Sequence, residues 1–131
     1  MKLGIYLHQN LCRVATRCVG VDTNAEGVQL LHELGFPEVF LPDDTPDDDY
    51  DVCMLADVIE HVGDPVAFLR SMRRYRFREL VIVTPNLFRL RNLFSAGEVV
   101  NTDHRYWFSP YTLCKVVVDA GYRPKRVELC H

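Results

Sequence analysis

The sequence predicts an α/β fold in which a parallel sheet is covered by helices on both faces. Three observations predict it: continuous apolar runs of strand length, segments with helical spacing between those runs, and an alternation of the two along the whole chain. Such runs are typical of strands buried on both faces, and their alternation with helices favours a parallel sheet. The 131 residues, 48% hydrophobic and 25% charged, predict a single domain over residues 1–131 with a sizeable core.

Five apolar segments have the length of strands: residues 19–21, 38–41, 51–56, 80–84 and 126–129. The runs at 51–56 and 80–84 are continuous, so we expect these strands to be buried on both faces. The run at 126–129 alternates, as an edge strand does. Ligands bind at the carboxyl ends of the strands in such sheets. Candidate site residues therefore follow the strands: Asp22, Asp43, residues 57–61 and residues 85–86.

Five other segments have the apolar spacing or the capping residues of helices: residues 5–16, 28–34, 64–72, 87–97 and 109–120. Asp64 and Ser109 each precede a proline, an arrangement typical of a capping side chain followed by proline in the first helical turn. Gly35 and Gly121 follow two of the segments, at the place where a left-handed residue usually ends a helix.

The composition argues against several classes of protein. No apolar run approaches the roughly 18 residues of a membrane span, and residues 1–8 lack the features of a signal peptide, so we expect a cytoplasmic protein with no membrane partner. The five cysteines show no C-x-x-C spacing, which favours reduced packing residues over a zinc or disulfide framework. The net charge of −3 gives no overall attraction to nucleic acid.

Charge is nevertheless distributed unevenly. Six aspartates lie in an acidic run at residues 43–51, and five arginines lie in an arginine run at residues 70–78. Arginines interleaved with aromatics can bind phosphates and stacked bases. The arginine run, however, leads into the strand at 80–84 and lies away from the carboxyl ends of the strands. We therefore expect a solvated surface, or a contact with the acidic run of another subunit, and no nucleic-acid partner.

Two features place polar side chains directly after strands. Asp22 can accept both hydroxyl groups of a ribose, as the acidic residue of dinucleotide-binding folds does, or it can cap the helix that follows. If residues 57–62 form a helical turn, Asp57, Glu60 and His61 share one face of it. Such a face brings two carboxylates and an imidazole together, either for chemistry or as a structural arrangement that orients the histidine.

Seven short motifs follow one another at residues 19–22, 50–52, 57–65, 68–69, 83–86, 101–110 and 120–122. Together they resemble the motifs of class I S-adenosylmethionine-dependent methyltransferases, in the branch with an Ile-Glu-His turn, a Pro-Asn after the next strand and a late Asp-His with aromatics. The resemblance covers nearly the whole chain from about residue 7. It implies a Rossmann-like fold and methyl transfer from S-adenosylmethionine.

The resemblance also implies which residues bind the cofactor. Asp22 would bind the ribose hydroxyls, and Asp43, or almost equally Asp44, would approach the adenine amino group. Ala56 and Asp57 would line the methionine side of the pocket.

A second group of residues would face the methyl acceptor. The resemblance implies that Glu60, His61 and His104 are the catalytic residues and that Asn86 and Trp107 contact the substrate. His61 or His104 can act as general base on an acceptor hydroxyl, or each can be a hydrogen-bonding anchor. Trp107 can clamp an acceptor or simply pack beside the helix start.

The chain departs from this family at both ends. It has no Gly-x-Gly-x-Gly-like turn, and the resemblance implies a truncated methyltransferase fold that lacks the first, central strand and the last strand. A missing central strand leaves its two neighbours with unpaired backbone groups. Either those strands come together, or the amino-terminal segment fills the gap, or a second copy covers the open edge as a homodimer.

A metal is a further possibility. Small-RNA 2′-O-methyltransferases bind a divalent cation through a Glu-x-x-Glu-His turn and a distant histidine, and Asp57, Glu60, His61 and His104 are similar. This set suits manganese, iron or zinc better than magnesium. Many small-molecule methyltransferases have such motifs without a metal, so we expect none.

The leading interpretation is O-methyl transfer from S-adenosylmethionine to a small-molecule acceptor or a sugar, impaired to some degree by the loss of the glycine turn. The alternative is a non-catalytic remnant that serves as an interaction or structural module. A third interpretation is metal-dependent RNA 2′-O-methyl transfer.

Overall fold

A computed structural model describes residues 2–87 and 103–129 of the chain, with side chains described from residue 7. The chain folds into two compact units, Met1–Asp47 and Asp48–His131, which we call the amino-terminal and carboxy-terminal units. Each unit combines helices with one pair of parallel strands. The predicted α/β class with parallel strands is therefore confirmed, whereas the single domain expected from the chain length stays a prediction.

The amino-terminal unit contains two helices and two short strands: α1 (Lys2–Val14), β1 (Gly20–Val21), α2 (Ala25–Glu33) and β2 (Val39–Phe40), followed by a 3₁₀ turn (Pro42–Asp44). β1 pairs with β2 in parallel, with Gly20 opposite Val39. Asn24 caps α2 by accepting a hydrogen bond from the Gly27 amide (3.1 Å). Gly35, with φ of +89°, follows the helix in the left-handed conformation expected from the sequence.

The carboxy-terminal unit contains two strands of eight residues each, β3 (Asp49–Ala56) and β4 (Arg76–Val83). Between the two strands lie α3 (Pro65–Ser71) and a 3₁₀ turn (Met72–Arg74), and α4 (Pro110–Asp119) follows later in the chain. β3 and β4 are parallel neighbours, with Asp49 opposite Arg76 and Ala56 opposite Val83. Six side chains form the buried core of this unit: Leu55, Ile59, Leu69, Met72, Phe108 and Ala120.

The predicted starts of α3 and α4 are confirmed in detail. Asp64 accepts a hydrogen bond from the Ala67 amide (2.9 Å), and proline follows it in the first turn. Ser109 and Thr112 form a reciprocal capping box at the start of α4, in which the Ser109 hydroxyl accepts from the Thr112 amide (3.1 Å). In each helix the capping side chain satisfies one of the four amide groups that a helix leaves unbonded at its start, and the proline has no amide hydrogen to satisfy.

Replacing Ser109 with alanine is expected to lower the free energy of unfolding by about 0.5–2 kcal/mol, because Ser109 is buried and the Thr112 amide loses the hydroxyl that caps it. Chemical denaturation followed by circular dichroism measures this change. The matched control is Ser71→Ala, since the Ser71 hydroxyl is exposed at the other end of a helix and donates only to the Phe68 carbonyl. Equal stability of the S109A variant and the unchanged protein would show that the capping box does not stabilise α4.

The sheet differs from the prediction of one parallel sheet with both faces covered. The described residues form two separate two-stranded sheets, and residues 126–129, predicted as an edge strand, have no regular secondary structure. In β3 and β4 one set of alternate side chains packs on the core, whereas the apolar side chains of the other face are exposed: Val52, Met54, Val81 and Val83. Residues 88–97 of the helix predicted at 87–97 lie outside the described residues, so no element that covers this face is described.

Three arginines of the arginine run make contacts within the carboxy-terminal unit. The Arg73 guanidinium donates to the Gly121 carbonyl (2.7 Å), just beyond α4, where a cation is favourable because helix carbonyl groups point there. Arg76 and Arg78 pair with Asp49 and Asp51 at the start of β3 (2.8 and 3.5 Å). The arginine and acidic runs therefore contact each other within one chain, because the two strands that contain these residues are parallel neighbours, whereas the expected contact with another subunit stays a prediction.

Among the helices of residues 2–87 and 103–129, none is both long enough and apolar enough to cross a membrane.

Candidate functional site

The chain makes a sharp turn directly after β3. The Asp57 amide donates to the Val83 carbonyl (2.9 Å), which extends the β3–β4 pairing by one residue. Asp57 then adopts a φ of +51°, a left-handed conformation that aspartate tolerates better than most residues do. A tight turn follows, closed by a hydrogen bond from the His61 amide to the Val58 carbonyl (3.0 Å). The expected helical face shared by Asp57 with Glu60 and His61 is therefore wrong.

Glu60 is the buried centre of this turn, with only 1% of its surface exposed. Its carboxylate oxygen Oε2 accepts from the Thr84 hydroxyl at the end of β4 (3.1 Å). Its backbone carbonyl accepts from the amides of Arg105 and Tyr106 (2.8 and 3.2 Å). The other carboxylate oxygen, Oε1, is buried and has no hydrogen-bond partner among the described residues. A buried carboxylate oxygen without a donor is costly, which is typical of a site that a ligand or ion completes.

The two histidines lie beside Glu60. Nδ1 of His61 lies 2.9 Å from the Asp103 carbonyl oxygen, and the rings of His61 and His104 meet edge to face with centroids 4.6 Å apart. One ligand atom from each of Glu60, His61 and His104 lies within 4.8 Å of the other two, and we call these three residues the histidine cluster. Since a carbonyl oxygen only accepts hydrogen bonds, this contact places a proton on Nδ1 of His61, and in the tautomer with that single ring proton Nε2 is an acceptor.

Two backbone contacts bring the segment after β4 beside the segment that contains His104 and Trp107. Asn86, just after β4, forms a parallel bridge with Phe108, and the Leu87 amide donates to the Phe108 carbonyl (3.0 Å). The segment from residue 103 therefore runs along the carboxyl ends of β3 and β4. Trp107 lies against His104, with ring centroids 5.5 Å apart. Asn86 and Trp107, assigned to the substrate from the sequence, thus lie on the two segments that bound the histidine cluster.

The predicted nucleoside-binding residues lie in the amino-terminal unit. Asp22 follows β1, and its Oδ1 accepts from the Asn24 amide (2.9 Å). Asp22 orders the turn before α2 but is not the helix cap, because that position belongs to Asn24. Asp43 and Asp44 are exposed in the 3₁₀ turn that follows β2. Because β1 and β2 are parallel neighbours, Asp22 and this turn lie at the same edge of the pair.

The remaining predicted cofactor residues, Ala56 and Asp57, lie in the carboxy-terminal unit at the end of β3. Ala56 is partly buried opposite Val83, and Asp57 is exposed. The five residues assigned to the cofactor are therefore divided between the two units, three in one and two in the other.

The structure gathers one further group, whose two cysteines the sequence analysis treated as packing residues. His8 of α1 lies 3.5 Å from the Cys12 thiol through Nε2 and 3.7 Å from the Cys18 thiol through Nδ1, and we call these residues the thiol cluster. Burial lowers the pKa of His8; burial, the hydrogen bond with Cys12 and the nearby charge of Glu38 raise the pKa of Cys18 to about 11. The signal in the sequence is the four-residue spacing of His8 and Cys12 on a predicted helix, which places both on one face.

Comparison of the chain with models of known protein families and with curated proteins gives no match.

Proposed function

We propose that this chain is an S-adenosylmethionine-dependent methyltransferase that transfers a methyl group to a hydroxyl of a small molecule or a sugar, on a truncated Rossmann-like fold. The observation that supports this proposal most directly is the histidine cluster at the carboxyl ends of β3 and β4. Ligand sites of parallel α/β proteins lie at this end of the strands. A buried carboxylate next to a histidine with an acceptor nitrogen is suited to hold and deprotonate a hydroxyl.

The residues of the amino-terminal unit fit the nucleoside half of the cofactor in part. Asp22 has an exposed carboxylate at the end of β1, although its Oδ1 already accepts from Asn24. Asp43 and Asp44 follow the neighbouring strand at the same edge, within the 3₁₀ turn. When bound, the cofactor would supply an electrophilic methyl group on its sulfonium.

The residues that we assign to the methyl acceptor lie in the carboxy-terminal unit. His61 is oriented by its hydrogen bond to the Asp103 carbonyl, so its Nε2 can take a proton from an acceptor hydroxyl. Glu60 is fixed by the Thr84 hydroxyl, and its Oε1 can accept a hydrogen bond from the acceptor or from a ring nitrogen of the cluster. Trp107 beside His104 offers an apolar surface for the body of the acceptor. Positioning of the acceptor contributes to methyl transfer in addition to any proton transfer.

The first experiment is calorimetric titration of the purified chain with S-adenosylhomocysteine, with light scattering on the same sample. Micromolar binding supports the proposal and justifies a screen of hydroxyl acceptors. A folded chain that does not bind at millimolar ligand is instead a non-catalytic remnant that acts as an interaction module. A dimer in solution would support a second copy at the open strand edges, since each sheet has only two strands in the described parts of the chain.

Replacing Asp22 with alanine is expected to weaken S-adenosylhomocysteine binding about 10- to 100-fold, because a hydrogen bond to a charged group contributes about 1.5–3 kcal/mol. The matched control is Asp51→Ala, which removes an exposed carboxylate near the opposite end of β3, where it pairs with Arg78 (3.5 Å). Unchanged affinity of the D22A variant, with the control also unchanged, would show that the ribose does not bind at Asp22.

A second candidate function is metal-dependent RNA 2′-O-methyl transfer. The observation that favours it is the donor set of the histidine cluster, one carboxylate with an unpartnered buried oxygen and two imidazoles within 4.8 Å. This set suits manganese, iron or zinc, whereas Asp57 does not join it. Methyl transfer to RNA that a chelator abolishes and manganese restores would support this candidate, as would RNA binding that weakens steeply with salt.

A further inference from the structure

The thiol cluster has the ligand types and the spacing of a metal site. A tetrahedral zinc ion with bonds of about 2.0–2.3 Å to nitrogen and sulfur separates its ligand atoms by about 3.6 Å. Nε2 of His8 lies 3.5 Å from the Cys12 thiol and Nδ1 lies 3.7 Å from the Cys18 thiol, and one ligand atom from each residue lies within 4.8 Å of the other two. Since one ion binds through a single ring nitrogen, the ligand atoms must approach one another from at most 4.8 Å to about 3.6 Å to form the site.

The backbone and a neighbouring ring hold His8 in place. Gly20 of β1 lies so close to the imidazole that an added Cβ would be 3.1 Å from His8 Cε1, so the ring occupies space that any larger residue would fill. Phe36 meets the other part of the ring edge to face, with centroids 5.6 Å apart. Cys12 lies one helical turn after His8 on α1, and Cys18 lies on the segment that leads into β1. Three different local structures thus converge on one point.

A cavity adjoins the cluster. It has a volume of about 350 Å³, and its walls include all three residues of the cluster together with Gly35 and Pro37. Arg17 and Glu38 also line it, and they form an ion pair (2.9 Å), so the Glu38 carboxylate already has a cationic partner. A fourth coordination position therefore opens toward a space large enough for water or a small ligand, as in zinc sites with three protein ligands.

We propose that His8, Cys12 and Cys18 bind one divalent cation of the zinc class, with a fourth position open to the adjoining cavity. Two sulfur ligands and one imidazole select zinc and similar soft ions over magnesium or calcium. The site is independent of the histidine cluster, which lies in the other unit and contains no thiol. It is also independent of the methyltransferase proposal, because neither its ligands nor its cavity include a residue assigned to the cofactor or the acceptor.

The test is titration of the reduced, metal-free full chain with Co²⁺ alone, followed by its thiolate-to-metal absorption and then by competition with Zn²⁺. We expect saturation at one equivalent for this absorption and its loss when Zn²⁺ displaces Co²⁺. Each of the variants Cys12→Ser and Cys18→Ser is expected to weaken binding at least about 100-fold, because loss of a second-shell partner already costs 10- to 100-fold. His8→Ala is expected to weaken binding similarly and to change the visible spectrum.

Two controls identify the site. Cys114→Ser removes a thiol of the carboxy-terminal unit, and His61→Ala disrupts the histidine cluster; both should leave the thiolate absorption unchanged. Circular dichroism of each variant shows that it is folded. The proposal is overturned if the folded, reduced chain gives no thiolate absorption with Co²⁺. It is also overturned if the absorption survives both C12S and C18S, or if C114S abolishes it.

Discussion

Replacing Leu69 with alanine is expected to lower the free energy of unfolding by about 2–5 kcal/mol, the range for removing a large aliphatic side chain from a packed core. Leu69 is 0% exposed on α3 and packs in the same cluster as Ile59, whose turn contains Glu60. Its carbonyl also accepts from the Tyr122 hydroxyl (2.9 Å), just after α4. The leucine therefore joins α3, the end of α4 and the turn that bears the candidate site.

Urea denaturation followed by circular dichroism measures this loss. The matched control is Leu129→Ala, because Leu129 is 56% exposed and its truncation should change the free energy of unfolding by less than about 0.5 kcal/mol. Equal effects of the two substitutions would contradict the packing of the carboxy-terminal unit described above.

Under the proposed function, replacing His61 is expected to reduce the rate of methyl transfer about 100- to 10,000-fold for an acceptor found by screening, which is the usual contribution of a positioned general base. His61 has the geometry of a base because the Asp103 carbonyl holds the proton on Nδ1 and leaves Nε2 as an acceptor. The measurement is the initial rate with labelled S-adenosylmethionine at saturating acceptor.

Two variants separate chemistry from positioning. His61→Asn keeps a donor near Nδ1 for the Asp103 carbonyl but removes Nε2, so a loss of rate in this variant as large as in His61→Ala indicates proton transfer. Retention of the rate in H61N would mean that His61 acts only by holding the segment at residue 103. His32→Ala is the matched control, because His32 likewise contacts a backbone carbonyl, that of Val39 (2.7 Å), in the other unit.

Local signals predicted the helices well because each depends on neighbouring residues. Capping residues before proline placed the starts of α3 and α4, and Gly35 placed the end of α2. The prediction of a strand at residues 126–129 was wrong, because strand formation does not depend on neighbouring residues alone. Alternation shows only that a segment can pair, whereas a strand forms only where a partner edge is available. The structure pairs the longer runs with each other instead.

For the candidate sites as well, some features follow from local sequence patterns and others depend on tertiary packing. The sequence by itself determined the α/β class and the strand end after which Asp22 lies, because periodicity is a local property, whereas the roles of His61 and His104 stay predictions. Only the tertiary structure decided that Asp57 leaves the cluster, since its left-handed backbone ends the strand in a tight turn. Only the tertiary structure also brought Cys18 to His8, because a contact between α1 and the approach to β1 depends on how those elements pack, which no local pattern records.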